Sequence, residues 1–115
     1  MENNTVAEKS LDFAVRIVNL RKYLVAQKEF VMSKQLLRCG TSIGANIAEA
    51  ERGQSKADFT AKMCIALKEA SETEYWLRLL YRTKYLSRNQ FESMYSDLIE
   101  LLRMLMAICK KSNEG

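Results

Sequence analysis

Apolar residues recur along this chain at steps of three, four and seven, the spacing of a helix with one buried face. In the second segment, Leu36, Ile43 and Ile47 share one side. The same rhythm appears in four segments that are separated by only a few residues. They predict helices at about residues 6–26, 29–52, 56–84 and 88–111.

Residues typical of helix ends lie between these segments. Gly53 follows the second segment, where we expect it to cap the helix in a left-handed conformation. Ser55 to Asp58 and Ser87 to Gln90 resemble capping boxes. Short connections make consecutive helices antiparallel, so we predict one all-α domain over residues 1–115, an antiparallel up-down-up-down four-helix bundle.

The composition agrees with a few long helices. The 115 residues include no proline and only four glycines, whereas a β-rich fold needs many turn residues. Cys39, Cys64 and Cys109 are odd in number and lie in helical patterns, which favours free buried thiols. We find no signal peptide and no apolar run near the ~20 residues of a membrane span. We therefore expect a cytoplasmic protein with no membrane partner.

The segment from Arg38 to Glu51 contains two glycines that suggest a phosphate-binding loop. Such loops require GxxxxGK[ST] or GxGxxG after a strand, whereas Gly40 and Gly44 are spaced GxxxG, without a following lysine. On a helix, Gly40 falls within the apolar face and Gly44 at its edge, where small residues let another backbone approach. We predict a closely packed helix.

The opposite face of this second helix is polar. A solvated surface would explain it, and so would a network buried against another subunit. The residues are Arg38, Ser42, Asn46, Glu49 and Arg52.

The third helix has a second seam beside its core stripe. The seam consists of Ile65, Glu69, Glu72, Trp76 and Leu79. Large apolar groups outside the core stripe favour an oligomer interface, since tryptophan is enriched at interface anchors. The alternative is a broad bundle face that absorbs them.

A third stripe on this helix is basic and contains an aromatic residue. Cations around a tyrosine can follow a phosphate backbone and stack a base. The net charge of +4 and the pI of about 9.0 add only weak support, and an ordinary charged surface is the alternative. The candidate nucleic-acid-binding residues are Lys68, Tyr75, Arg78, Arg82, Lys84 and Arg88.

Catalytic chemistry has little support. Without histidine, the Ser-His and Cys-His arrangements and the Glu-x-x-His ligands of di-iron bundles are excluded. A carboxylate metal site of Glu49, Glu69 and Glu72 is conceivable, but Arg38 and Arg52 would compete as counter-ions. We predict no enzymatic activity, no metal and no cofactor.

Residues 33–80 closely resemble the bacterial four-helix bundle proteins first noticed as reading frames inside intervening sequences of 23S ribosomal RNA genes. The resemblance rests on SIGANIAE at 42–49, QSKADF at 54–59 and ALKExxETxYWL at 66–77. It implies a homo-oligomer, with a pentameric barrel the expected form. A related branch, an accessory protein of diversity-generating retroelements, engages nucleic acid and a reverse transcriptase through a basic surface.

The resemblance also implies that a set of polar residues makes ordered contacts within or between subunits, without making them catalytic. These are Arg38, Ser42, Asn46, Glu49, Asp58, Glu69, Glu72 and Thr73.

Three functions compete. The first is a non-enzymatic oligomeric scaffold that binds RNA, DNA or a ribonucleoprotein through its basic residues. The second is a protein–protein interaction module with no nucleic-acid role. The third, less favoured, is a carboxylate metal-binding bundle.

Overall fold

The computed structural model describes residues 5–114, which form four helices and no strand. Each helix packs against the next, and α1 packs against α4, so α1 and α3 are diagonal to each other. The predicted antiparallel four-helix bundle is therefore confirmed. The helices are α1 (Val6–Ala26), α2 (Val31–Glu51), α3 (Lys56–Arg82) and α4 (Arg88–Glu114).

Side-chain caps fix where α3 and α4 begin. The Ser55 hydroxyl accepts a hydrogen bond from the Asp58 backbone N–H at 3.1 Å. At α4, the Gln90 N–H donates to the Ser87 hydroxyl, and the Ser87 N–H donates to the Gln90 side chain. This reciprocal pair is a capping box, which satisfies amides that the helix itself leaves unpaired.

The start of α2 differs from the prediction by two residues because a buried carboxylate caps it from outside. The Glu29 carboxylate accepts hydrogen bonds from the backbone N–H groups of Val31, Met32 and Ser33, at 3.2, 3.0 and 2.6 Å. Glu29 is only 6% exposed. Its negative charge also lies at the positive end of the helix dipole.

Gly53 does not adopt the left-handed conformation that the sequence predicts. That conformation occurs instead at Lys28 (φ 66°) and Lys84 (φ 70°), one in each of the other two turns. Space is short around Gly53, because an added Cβ would lie 3.1 Å from the Ala50 carbonyl oxygen and 3.2 Å from the Asp58 Cβ. The turn between α2 and α3 is therefore tight rather than left-handed.

The two glycines of α2 let α1 approach closely. A Cβ on Gly40 would lie 2.8 Å from Ile17 Cγ1, and one on Gly44 would lie 3.2 Å from the Ser10 hydroxyl. Ile17 and Ser10 are both buried on α1. The close packing expected for this segment is confirmed, and its partner is α1.

Two helix ends also depart from prediction. α3 ends at Arg82 rather than near residue 84, because the left-handed Lys84 turns the chain and the Tyr85 N–H donates to the Leu80 carbonyl. α4 continues past residue 111 to Glu114. Its last turn is held by contact of the Ser112 hydroxyl with a hydroxyl of α3.

Candidate nucleic-acid and subunit interfaces

The outer face of α3 presents the predicted basic residues to solvent. Lys68, Tyr75 and Arg82 follow one another at two-turn intervals, and Arg78 lies one turn from both Tyr75 and Arg82. The Tyr75 ring is 59% exposed. Together with Lys84 in the following turn, these residues are called the basic stripe from here on.

The cations of the basic stripe have no internal counter-ion in the part of the chain that the structure describes. No carboxylate oxygen within residues 5–114 approaches the charged groups of Lys68, Arg78, Arg82 or Lys84 within 4 Å. Their hydrogen-bonding capacity is thus open to an external anion. Arginine is well suited to such a partner because its planar fork matches phosphate oxygens.

A shallow recess of about 320 Å³ lies along the basic stripe, lined by Tyr75, Arg78 and Arg82 together with Glu74. Glu74 is drawn towards α4, where its carboxylate accepts a hydrogen bond from the Tyr95 hydroxyl at 2.6 Å. This bond raises the pKa of Tyr95, with burial as a smaller cause. The one carboxylate of the recess therefore has a partner on α4.

Arg88 differs from the other candidate nucleic-acid residues. Its guanidinium lies 2.9 Å from the Glu92 carboxylate, one turn further along α4. The hydrogen bond to Glu92 raises the pKa of Arg88. Since both side chains are exposed, the pair is weak and an anion can compete for Arg88.

The seam between α2 and α3 contains a charged network centred on Arg38. Its guanidinium contacts the Glu69 carboxylate at 3.3 Å and also contacts Glu72. The indole N–H of Trp76 donates to the same Glu72 carboxylate at 3.0 Å, and Gln35 accepts from Arg38 at 3.2 Å. Four of the residues predicted for an interface thus meet within one chain.

Glu69, Glu72 and Glu49 are each matched by a cation. Arg38 holds the first two, and Lys62 lies 2.7 Å from Glu49. Within residues 5–114, no cluster of three potential ligands is placed to hold a metal ion. The arrangement disfavours the carboxylate metal site considered from the sequence.

Ser42 and Asn46 do not join the Arg38 network. Both are partly buried, and the Asn46 side chain donates to the Ser42 carbonyl oxygen within α2 at 2.8 Å. Ile65, nearby on α3, is 40% exposed, and Leu79 is partly buried. The structure therefore brings the predicted interface residues to one seam without joining them in one network.

Val31 belongs to the same seam, although it is not among the residues predicted for an interface. Arg38 of α2 contacts Glu72 of α3, and the two helices are antiparallel. Val31, seven residues before Arg38, therefore lies opposite Leu79, seven residues after Glu72. Val31 is 75% exposed. Its position seven residues before Arg38, on the same side of α2, was the sequence signal that could have identified it.

An exposed apolar stripe on α1 was also missed. Leu11, Val15 and Val18 are 59%, 55% and 37% exposed and lie on one side of that helix. The spacing of four and three was visible in the sequence. It was hidden by the stronger core stripe on the neighbouring face.

The structure places two cysteines together that are 45 positions apart in the sequence. They are Cys64 of α3 and Cys109 of α4, and burial, followed by the interaction with the Cys64 thiol, raises the pKa of Cys109 to about 12. Cys39 lies apart on α2, fully buried, where burial raises its thiol pKa. All three are free, as expected, but Cys64 is only partly buried.

The family model described as 23S rRNA-intervening sequence protein matches residues 2–107. The chain belongs to this family. A solved structure of a protein of unknown function from the S23 ribosomal protein family of Bacteroides thetaiotaomicron is 64% identical to this intervening-sequence protein. The similarity covers 92% of this chain and 99% of that one, with a TM-score of 0.91.

No curated protein matches this intervening-sequence protein. None of the helices described between residues 5 and 114 is long and apolar enough to cross a membrane.

Proposed function

We propose that this intervening-sequence protein is a non-enzymatic, homo-oligomeric scaffold of the cytoplasm that binds RNA, DNA or a ribonucleoprotein through the basic stripe. The observation that carries the proposal is a row of four exposed cations, none with a carboxylate within 4 Å among residues 5–114, on the same helix or turn as the exposed ring of Tyr75. Cations attract the phosphates, and the ring offers a base a stacking surface.

The α2/α3 seam supports the self-association part of the proposal. The Arg38 network is neutralised within the chain, and exposed apolar side chains lie on both sides of it: Val31 at one end and Ile65 towards the other. A second copy that covers these side chains would remove apolar surface from water. A pentamer, the form that the family resemblance implies, would present five basic stripes to one nucleic acid and so raise the effective affinity.

The absence of enzymatic activity is part of the proposal. The chain has no histidine, so the commonest acid–base group near neutral pH is missing. Its paired carboxylates serve structural contacts, as Glu72 does with Arg38 and Trp76. The recess at the basic stripe contains cations suited to binding an anion rather than an acid–base pair.

The test is charge reversal with a matched control. Arg78→Glu with Arg82→Glu should lower affinity for a fluorescent single-stranded RNA by about tenfold or more at physiological salt, since two of four phosphate contacts are lost. The control, Lys22→Glu with Lys34→Glu, makes the same change in net charge at exposed residues of α1 and α2. Equal losses of RNA affinity in the two double variants, or no loss of affinity in Arg78→Glu with Arg82→Glu, would contradict the proposal.

A second candidate is a protein-interaction module, favoured by the exposed apolar stripe of Leu11, Val15 and Val18. Solvent-exposed apolar residues in a row are typical of docking surfaces. This function would be supported by a single partner that survives nuclease treatment and is lost on Val15→Lys. Loss of that partner with nuclease would favour the scaffold function.

A further inference from the structure

Near the end of α4, hydroxyl, amide and thiol side chains lie at the contact between α3 and α4. The hydroxyls of Thr60 and Ser112 are in contact. Cys64 lies one turn after Thr60 on α3 and Cys109 one turn before Ser112 on α4, so the two free cysteines face each other across the antiparallel helix pair. The Asn113 amide also donates to the Cys64 sulfur at 3.9 Å.

The two thiols differ in access. Cys64 is partly exposed, whereas Cys109 is only 6% exposed. A small oxidant can therefore reach Cys64 first, while Cys109 is placed to react with whatever forms there. Susceptibility to oxidation follows exposure and thiolate character, and redox-active cysteines often have a second thiol beside them.

We propose that Cys64 and Cys109 form a reversible redox pair that closes to a disulfide between α3 and α4 on exposure to a hydroperoxide. The Cys64 thiolate attacks the terminal oxygen of the peroxide, which breaks the O–O bond, yields a sulfenic acid and releases an alcohol or water. The Cys109 sulfur then attacks the Cys64 sulfur. The S–S bond forms, and the departing hydroxide takes the Cys109 proton and leaves as water.

The balance is two thiols and one hydroperoxide giving one disulfide, one alcohol and one water, and a dithiol reductant reverses it. The pair lies on the side of α3 that faces α4, away from the α2/α3 seam. The proposal is therefore independent of the proposed oligomer contacts and of nucleic-acid binding.

The test treats the folded full-length protein with hydrogen peroxide, quenches free thiols with an alkylating reagent, and maps peptides by mass spectrometry. We expect a cross-linked peptide containing Cys64 and Cys109, the loss of two hydrogen atoms, and reversal by dithiothreitol. Cys39→Ser is the control variant and should oxidise as wild type does, because Cys39 is fully buried on α2 with its thiol directed at the Leu36 carbonyl.

Single variants separate the role of Cys64, which reacts with the peroxide, from that of Cys109, which closes the disulfide. In Cys109→Ser the sulfenic acid at Cys64 should persist and be trapped by dimedone, whereas Cys64→Ser should give no dimedone adduct at Cys109. If wild type gives only intermolecular disulfides, gives sulfinic acid at Cys64 without a cross-link, or forms the cross-link only in urea, the proposal is wrong. The wild-type peptide map decides the question even if a variant fails to fold.

Discussion

Replacement of Gly40 by alanine should destabilise the bundle, although alanine is the better helix former. The added Cβ would lie 2.8, 2.9 and 3.0 Å from Cγ1, Cδ1 and Cγ2 of Ile17. Ile17 is fully buried and β-branched, so it has little freedom to move aside. We expect a packing cost of about 2–3 kcal/mol, in the upper part of the range for overpacked cores.

The helix propensity of alanine offsets about 1 kcal/mol of this cost. The net loss of unfolding free energy for Gly40→Ala should therefore be about 1–2 kcal/mol. Gly44→Ala is the matched control, because its added Cβ would meet the Ser10 hydroxyl at 3.2 Å and nothing closer. Here the gain in propensity and the milder contact nearly cancel, so stability should stay within about 0.5 kcal/mol of wild type.

Urea unfolding followed by circular dichroism measures both values, at equal protein concentration because oligomers gain stability with concentration. Ile17→Val removes the Cδ1 atom and with it one of the close contacts to the added Cβ. It should therefore lower the unfolding free energy less in the Gly40→Ala background than in wild type. We expect a coupling of at least about 0.5 kcal/mol in this double-mutant cycle. If Gly40→Ala is as stable as wild type, or if the cycle shows no coupling, the close approach of α1 to α2 is refuted.

Three further changes probe other contacts. Arg38→Met should cost about 1 kcal/mol in urea unfolding, a modest value because the guanidinium is about half exposed; an unchanged midpoint would contradict the network. Glu29→Ala should cost about 2 kcal/mol in the same assay because three amides lose their cap, and a loss no larger than that of an exposed Glu51→Ala would contradict this role. Glu74→Gln should lower the pKa of Tyr95 in a spectroscopic titration, since the carboxylate raises it. Because the pKa of Tyr95 is raised in the folded state, its contact with Glu74 stabilises the fold at pH values below the ordinary tyrosine pKa of about 10, and this stabilisation is lost as the pH rises through the folded-state pKa. A Tyr95 titration that is unchanged by Glu74→Gln would contradict the contact.

The helices could be predicted because their signals are local. The apolar period of 3.6 residues and the capping residues Ser55 and Ser87 lie within single segments, and the structure agrees with them. Gly53 shows the limit of such reasoning, since glycine is common both where φ is positive and where space is short. The sequence alone does not distinguish the two, and in the structure Gly53 has short space without a positive φ.

Contacts between helices depend on register, which one segment does not reveal. Both partners of the pair Arg38 and Glu72 were identified as polar positions, but their meeting within one chain required the alignment of α2 with α3. The pair Cys64 and Cys109 was missed for the same reason, because it depends on the alignment of α3 with α4. The Glu29 cap was missed because its carboxylate reaches forward from outside the helix to three amides.

The salt dependence of RNA binding by the native protein tests the central claim most directly. If the cations of Lys68, Arg78, Arg82 and Lys84 each neutralise one phosphate, affinity per bound protomer should fall with a log–log slope of about −3, or about 50-fold between 50 and 200 mM salt. A slope near zero, or no binding at low salt, would contradict the account of the basic stripe as a nucleic-acid interface.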